Sequence, residues 1–314
     1  MQAIQVNKLV KQYKNGVRAL DGLSLNVNSG EIFSLLGQNG AGKSSLINVL
    51  TTYLAPSSGT VVMLGKDISN ESAFIRSQIA CVAQHISIDM HLSLMENMMF
   101  QSKLYKVDTA VAKERMNGLI ERFGLKQYLK YPVNSYSGGV KRRLDIAMNM
   151  MSYPQILFMD EPTVGMDIQS RLAMWDMVKK IRDDFGTTIF LTTHYLEEAD
   201  LLSDTICIMK DGREIVQAAP HDLRQYIRQD VLRIGFDNTG QEKDCVKKIK
   251  AAFDMKFVEV RDISIFLHTD KSREDFVNVN QWLLEQQISF SAIEIIQPSL
   301  DDVFLSLTEE RKGI

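Results

Sequence analysis

The stretch that decides the fold is GQNGAGKS, from Gly37 to Ser44. It follows the apolar run IFSLL, which begins at Ile32, and it precedes the helical run SLINVL. A strand, a glycine-rich turn and a helix in this order let successive backbone N–H groups point at an anion, and the helix N-terminus adds partial positive charge. The sequence therefore predicts a phosphate-binding loop of the P-loop pattern rather than a glycine-rich turn without a ligand.

Two side chains of this loop suit a nucleoside triphosphate. Lys43 is expected to bridge the β- and γ-phosphates, and Ser44 to ligate Mg²⁺. An ammonium group with no acidic neighbour in the loop is costly to bury unless an anion completes it. The predicted nucleotide-binding positions of this segment are Gly37, Gln38, Asn39, Gly40, Ala41, Gly42, Lys43, Ser44 and Ser45.

A second apolar run, ILFMD from Ile156, ends in the acidic pair Asp160 and Glu161. A carboxylate at the tip of a strand can enter a Mg²⁺ shell, and the next carboxylate can polarise a water. We predict that Asp160 positions the metal and that Glu161 orients or deprotonates the attacking water. Acidic pairs after apolar strands are common, so this prediction depends on the preceding phosphate-binding loop.

The pattern up to about residue 220 alternates short apolar runs with helical segments, which predicts an α/β core of parallel strands and crossover helices. Further buried strands are expected at TTIFLTT from Thr187 and TICIM from Thr205. The first thirty residues alternate apolar and polar side chains, as half-exposed antiparallel strands do. A hairpin is expected around Asp211–Gly212.

Two further regions flank or interrupt this core. A helical subdomain is predicted over about 88–152, and Ser93 with Glu96 forms the capping box of its first helix. The chain changes character after Pro220, where the pattern becomes strand, helix, strand, strand, helix, strand, the ferredoxin-like order. We therefore predict an ATP-binding domain over 1–222 and a small α+β accessory domain over 223–314.

Four motifs together resemble those of an ABC-type ATPase. They are GQNGAGKS, YSGGV from Tyr136, ILFMDEP from Ile156 and TTH ending at His194, and both their order and their spacing agree with that family. The YSGGV signature separates the family from other P-loop ATPases. The resemblance covers residues 13–194 and implies that two subunits enclose two ATP molecules head to tail.

In such a dimer the resemblance implies that Ser137, Gly138 and Gly139 bind the γ-phosphate held by the opposite subunit. The segment opens the helical run VKRRLDIAMNMM, so it offers a hydroxyl, bare backbone donors and a helix dipole to an anion. A plain helix N-cap with glycines is the alternative.

The resemblance also assigns expected roles to four positions. Tyr13 corresponds to the aromatic residue that stacks on adenine, and Gln84 to the glutamine that contacts Mg²⁺ and senses the membrane partner. His194 corresponds to the histidine that contacts the γ-phosphate. Asp167 lies in the loop that couples the two sites, where it could equally be a helix N-cap.

Some positions depart from the family pattern. Gln38 and Ala83 stand where proline is common, and Tyr136, Val140 and Met166 also differ from it. None of these changes removes a catalytic group. Both sites of a homodimer are therefore predicted to hydrolyse ATP, with Lys43, Glu161 and His194 as the catalytic set.

Bulk composition excludes several other classes. The 36 Lys and Arg residues against 39 Asp and Glu give a net charge of −3, so nucleic acid is not an expected partner. The basic run from Lys141 to Arg143 is expected to be a solvated helix face. Cys81, Cys207 and Cys245 lack metal-site spacing and are expected to be buried thiols.

The expected function is that of an ATP-binding and hydrolysing subunit that drives a separate integral-membrane permease, as a homodimer or a heterodimer. The segment PSLDDVFLSLT from Pro298 resembles the tail of export-type subunits. No apolar run approaches 18 residues, so the expected location is cytoplasmic, peripheral to the inner face of the membrane.

The alternative function is a soluble ABC-type ATPase that acts on ribosomes or nucleic acid. The chain has a single P-loop, and too few residues separate Ser44 from Ser137 for the long coiled coil of chromosome-associated relatives. Both observations favour transport. The accessory domain is expected either to regulate the dimer or to serve only as a packing appendage.

Overall fold

A computed structural model describes residues 1–226, 230–237, 240–253, 257–269 and 271–296, together with Leu300, Val303, Phe304 and Leu307. The chain divides into two compact units, Met1–Pro220 and His221–Ile314. This division lies close to the boundary after residue 222 that the sequence predicts. No helix in the described ranges has both the length and the apolar character needed to cross a bilayer.

The elements of the first unit follow the alternating order expected of an α/β core. Its strands are β1 (Gln2–Gln12), β2 (Arg18–Asn28), β3 (Ile32–Leu36), β4 (Ser58–Met63), β5 (Lys66–Asp67), β6 (Ile79–Val82), β7 (Ile156–Asp160), β8 (Thr188–Thr193), β9 (Thr205–Lys210) and β10 (Arg213–Ala218). Its helices are α1 (Lys43–Leu50), α2 (Ser72–Gln78), α3 (Leu94–Leu104), α4 (Thr109–Arg122), α5 (Gly138–Asn149), α6 (Ile168–Phe185) and α7 (Leu196–Leu202), and α8 (Pro220–Tyr226) begins at its last residue.

The central sheet has six strands in the order β10-β9-β3-β8-β7-β6. All pairs from β9 to β6 are parallel, and β10 joins β9 through the predicted hairpin. The four predicted apolar strands are therefore confirmed as β3, β7, β8 and β9. Because parallel strands end at the same edge of a sheet, the loops after β3, β8, β7 and β6 lie side by side.

A second, antiparallel sheet has the order β2-β1-β4-β5, which confirms the antiparallel N-terminal strands. Its buried side chains, among them Ile4, Leu23 and Leu25, form one hydrophobic cluster with Phe33 of β3 and Leu46 of α1. This packing holds the helix after the phosphate-binding loop between the two sheets. The sequence pattern did not predict β4 and β5, which complete the sheet.

The predicted helical subdomain is built from α3, α4 and α5. The capping box is present, since the Ser93 hydroxyl accepts from the Glu96 N–H at 3.2 Å and a Glu96 carboxylate oxygen accepts from the Ser93 N–H at 2.8 Å. Met98 and Met148 are buried in its core, whereas Met95 is exposed. Outside this subdomain, the thiols of Cys207 and Cys245 are buried as predicted. The prediction was wrong for Cys81, which is exposed on β6, the last strand of the sheet.

The second unit has the predicted βαββαβ order. Its elements are β11 (Asp230–Gly235), α9 (Gln241–Ala252), β12 (Phe257–Arg261), β13 (Ser264–Thr269), α10 (Ser272–Glu285) and β14 (Ala292–Ile296). The sheet order β12-β13-β11-β14, with every pair antiparallel, is the ferredoxin-like arrangement. Apart from its four described residues, the segment from Pro298 that resembles an exporter tail lies outside the described residues.

Candidate active site

The glycines of the loop after β3 are required by its backbone. Gly40 and Gly42 have φ of +85° and +105°, a region that residues with a side chain rarely adopt. A Cβ atom at Gly42 would lie 2.4 Å from the Ala19 carbonyl oxygen, and one at Gly37 would lie 2.6 Å from that of Met209. No described side chain caps α1, so its first N–H groups remain available to an anion.

Lys43 opens α1, and its side chain folds back over the loop. Its Nζ donates to the carbonyl oxygens of Gly37 at 2.7 Å and Gln38 at 3.2 Å. Burial lowers the pKa of Lys43, while the nearby carboxylates of Glu161 and Asp160 act to raise it. This partly desolvated cation, 6% exposed, is suited to an additional anionic partner.

Glu161 lies at the centre of the site. Its Oε1 is 3.1 Å from His194 Nδ1 and 3.9 Å from Lys43 Nζ, and its Oε2 is 3.5 Å from Gln84 Nε2. These four residues follow four neighbouring strands of the central sheet. The structure therefore brings together four of the polar side chains that the sequence singled out, although their chemical roles stay predictions.

The backbone of Glu161 is in the left-handed region, with φ of 47°. This conformation is costly for a non-glycine residue by about 1 kcal/mol or more, and it persists only where neighbours fix it. One such neighbour is Thr192, whose carbonyl and hydroxyl oxygens accept from the Glu161 N–H at 3.2 and 3.1 Å. Sequence reasoning missed Thr192, for which the only signal was its place two residues before His194.

Asp160 ends β7 beside Glu161. Its Oδ1 accepts a hydrogen bond from the Thr192 hydroxyl at 2.6 Å, which fixes the carboxylate. Ser44 is exposed at the start of α1. Ser44, Asp160 and Gln84 offer hydroxyl, carboxylate and amide oxygens, the hard donors that suit Mg²⁺ beside phosphate. No group of three or more His, Cys, Asp or Glu side chains in the described ranges is arranged to hold a metal.

Tyr13 follows β1, and its side chain reaches α1, the helix that begins at Lys43. Its hydroxyl lies 3.0 Å from the Ser45 hydroxyl, and the Lys11 ammonium lies 5.7 Å from the centre of its ring. The structure thus places Tyr13 next to the phosphate-binding loop. Its stacking on adenine stays a prediction.

The signature residues form a second cluster. Ser137 caps α5 by accepting from the Val140 N–H at 3.4 Å, and both Ser137 and Gly138 are exposed. A Cβ atom at Gly138 would meet no heavy atom within 4 Å. At Gly139 it would lie 2.7 Å from the Ser170 hydroxyl oxygen. The outer glycine therefore faces open space, and the inner glycine is packed against α6.

Asp167 joins this second cluster. It caps α6 by accepting from the N–H of Ser170 at 2.9 Å and from its hydroxyl at 2.7 Å, and these hydrogen bonds lower the pKa of Asp167. The N-cap role is therefore present. Among the hydrogen bonds and ion pairs of the described residues, none joins the first turn of α5 to the phosphate-binding loop or to Glu161.

The prediction of a solvated basic face was wrong for Arg142. Lys141 and Arg143 are half-buried, but Arg142 is 3% exposed and its guanidinium contacts the residues around the site. Burial lowers the pKa of Arg142, and the carboxylate of Asp145 acts against this shift. The acidic residue three positions on was the one signal in the sequence for a buried pair.

Glu198 on α7 is a second buried polar side chain that sequence reasoning missed. Its Oε1 accepts from the Thr163 hydroxyl at 2.8 Å and from Trp175 Nε1 at 3.0 Å. These bonds fasten the loop after Glu161 and helix α6 to the helix that follows His194. Its position within one turn of that histidine gave no distinct signal.

The sequence of this chain is similar to those of known ATP-binding proteins. A family model described as ABC transporter matches residues 20–164. The daunorubicin/doxorubicin resistance ATP-binding protein DrrA of Streptomyces peucetius is 37% identical over 308 residues, which cover 98% of this chain and 92% of the relative. The Nod factor export ATP-binding protein I of Ralstonia nicotianae is 32% identical over 277 residues, covering 87% and 86%.

Solved structures of ATP-binding proteins share the fold of this chain. The chain resembles CbiO1 of Clostridium perfringens, described as part of the ABC transporter complex cbiONQ, with 26% identity and a TM-score of 0.67 over 80% of this chain and 95% of that one. It shares the fold of the ATP-binding cassette MJ0796, solved as a dimer bound to ADP and phosphate, at 24% identity and a TM-score of 0.61. That alignment covers 69% of this chain and 98% of the cassette.

Proposed function

The chain belongs to the ABC transporter family of ATP-binding proteins, and on that basis we propose that it binds and hydrolyses ATP to drive a separate membrane permease. The observation that carries the proposal is the convergence of Lys43, Gln84, Glu161 and His194 at the carboxyl ends of neighbouring strands. An ammonium, a carboxylate, an amide and an imidazole at one point match the needs of phosphoryl transfer to water.

ATP would bind with its phosphates in the loop from Gly37 to Ser44. The backbone N–H groups and the Lys43 ammonium would hold the phosphate oxygens, and Tyr13 would pack against the base. Ser44, Asp160 and Gln84 would hold Mg²⁺. When bound, this ion neutralises charge on the phosphates.

Hydrolysis would depend on Glu161. Its carboxylate would orient a water molecule and accept one of its protons while the water oxygen bonds to the γ-phosphorus. The bond from that phosphorus to the oxygen bridging to the β-phosphate breaks, which releases ADP and phosphate. His194 holds the same carboxylate at 3.1 Å and would also contact the γ-phosphate.

The working unit would be a dimer of two copies, or a heterodimer with a related subunit. Ser137 and Gly138 are exposed at the start of α5 with nothing packed over Gly138, so a second chain's γ-phosphate could reach them. Closure around two ATP molecules would supply the conformational work, since a ligand shifts an equilibrium by its differential affinity for the two states.

The direction of transport would be export, as in the relatives named for drug resistance and Nod factor export. The chain would lie at the cytoplasmic face of the membrane. The permease would dock near Gln84 and residues 85–105, where the structure exposes a set of large apolar side chains. These are Ile86, Met90, Met95, Phe100 and Leu104.

Steady-state phosphate release tests the hydrolytic proposal. Glu161→Gln should lower turnover by at least about 100-fold while ATP binding persists, because the change removes only the proton acceptor. Glu197→Gln, which alters an exposed carboxylate on α7, is the matched control and should leave turnover unchanged. Undiminished turnover in Glu161→Gln would exclude the assigned role.

Gentle membrane solubilisation with Mg·ATP tests the partner. The Glu161→Gln chain should be trapped as a closed dimer, and mass spectrometry should recover a polytopic membrane protein in stoichiometric amount. Recovery of ribosomal or chromosomal proteins instead would keep the ATPase chemistry and overturn the transport assignment.

A further inference from the structure

The guanidinium of Arg142 binds the backbone on both sides of Glu161. Its Nε donates to the Pro162 carbonyl oxygen at 3.2 Å, and a terminal nitrogen donates to that of Asp160 at 3.4 Å. The other terminal nitrogen donates at 2.5 Å to the carbonyl oxygen of Ala83, the residue before Gln84. One side chain of α5 therefore holds the immediate neighbours of both Glu161 and Gln84.

Asp145, one turn along α5, extends this arrangement. Its Oδ2 accepts from Arg142 at 3.3 Å, and its Oδ1 accepts from the Ser87 hydroxyl at 2.7 Å. Ser87 lies three residues after Gln84, so the pair holds the Gln84 loop on both sides. Asp145 is 1% exposed, and its carboxylate is thus a fixed part of the core.

Stability alone does not account for these contacts. A buried ion pair adds little net stability compared with apolar side chains of similar size. What it supplies is fixed geometry, because the planar guanidinium donates in several set directions at once. That geometry matters here, since Glu161 has a left-handed backbone and its carboxylate is 3.5 Å from the Gln84 amide.

We propose that Arg142 is a positioning residue for hydrolysis. It holds Glu161 and Gln84 in fixed positions relative to each other and to α5, the helix that begins with the signature turn. The proposal rests on the ATPase function proposed above. Neither Arg142 nor Asp145 touches the phosphate-binding loop in the described hydrogen bonds, so we expect the binding of nucleotide without Mg²⁺ to be independent of them.

Arg142→Lys is the first test. The lysine keeps the charge beside Asp145 but cannot donate to three carbonyl groups in the directions of the guanidinium fork. Turnover should fall at least about tenfold, while the Kd for trinitrophenyl-ATP stays within about twofold, because small displacements of reacting groups lower rate without lowering affinity.

Arg143→Lys is the matched control on the same helix. Arg143 contacts the Phe123 carbonyl oxygen at 3.4 Å and the Tyr128 hydroxyl at 3.5 Å, both within the helical subdomain. The turnover of the Arg143→Lys variant should stay within about twofold of wild type. Equal turnover in the two lysine variants would overturn the proposal.

A double-mutant cycle adds a measurement that a purely structural role would not affect. Ser87→Ala removes one hydrogen bond from an exposed residue and is expected to keep the fold, so it serves even where Arg142→Lys folds poorly. It should lower turnover about threefold alone and have no further effect in the Gln84→Ala background, because coupled residues are not additive.

The outcomes separate the two proposals. Additive effects of Ser87→Ala and Gln84→Ala on the logarithm of turnover would overturn the positioning of Gln84 by α5, whereas equal turnover in Arg142→Lys and Arg143→Lys would overturn the role of Arg142. Absence of ATP turnover in the wild-type chain would overturn the proposed function and this inference with it.

Discussion

The two clusters of predicted site residues differ in how they are built. Around the phosphate-binding loop, Lys43, Gln84 and His194 each lie within 3.9 Å of the Glu161 carboxylate. The signature turn from Ser137 to Gly139 instead touches α6 and otherwise faces outward. The first cluster joins a cation, a carboxylate, an amide and an imidazole within one chain. The second is an exposed helix N-terminus, which is compatible with the proposal that it forms one half of a site shared between two chains.

The largest expected effect comes from inactivating the two clusters in different copies of the chain. Lys43→Ala should abolish nucleotide binding and turnover, and Gly138→Asp should leave binding intact while lowering turnover at least about 100-fold, since it places a carboxylate where the γ-phosphate is expected. Mixing the two inactive variants should restore about a quarter of wild-type turnover, because half of the dimers then contain one intact site. Phosphate release on the mixture measures this.

One further mixture serves as the control for that experiment. Lys43→Ala mixed with the double variant carrying both changes should stay inactive, since every site then contains Lys43→Ala. Failure of the Lys43→Ala and Gly138→Asp mixture to recover, with dimers present by light scattering, would contradict a shared site.

An effect of medium size is expected on the free energy of unfolding, which should distinguish Gly138 from Gly139 in the signature turn. Gly139→Ala should lower the free energy of unfolding by about 1–3 kcal/mol, because the new Cβ would lie 2.7 Å from the Ser170 hydroxyl oxygen. Gly138→Ala meets no atom within 4 Å and should be neutral or slightly stabilising at a helix position. Urea denaturation of both variants measures the difference, and equal stabilities would refute the packing argument.

The smallest effect concerns Tyr13 at the edge of the first cluster. Tyr13→Phe removes the hydrogen bond to Ser45 but keeps the ring, so ATP affinity should change less than about twofold. Tyr13→Ala removes the ring and should weaken ATP binding about fivefold. Titration of each variant with ATP and with GTP measures the affinities. Equal losses in the two variants would assign the effect to the hydroxyl rather than to stacking.

The sequence predicted the parts whose signals are local. The loop from Gly37, the strand that ends at Asp160 and the Ser93 capping box each depend on residues adjacent along the chain, and each is present in the structure. The ferredoxin-like order was also predictable, because alternation and helical periodicity persist through the second unit. The chemical roles of the site residues stay predictions until variants are measured.

The parts that sequence reasoning missed depend on tertiary packing. Arg142 looks like one of three solvated basic residues until the Gln84 loop and β7 pack against α5 and provide carbonyl groups for it. Thr192 and Glu198 likewise acquire their partners Glu161 and Thr163 from positions more than thirty residues away along the chain. Periodicity indicates which face of a helix is buried, but it does not identify the carbonyl groups that will meet that face.

The position of β6 has a mechanical consequence. It is the last strand of the central sheet, and it pairs in parallel with β7 from Ile79 opposite Ile156 to Val82 opposite Met159. Force applied along β6 would load these hydrogen bonds together in shear, whereas force across the strand would break them one at a time. A membrane partner that pushes on the loop after β6 along the strand direction would therefore act on a stiff linkage, and the displacement would reach Asp160 and Glu161 at the end of the very next strand.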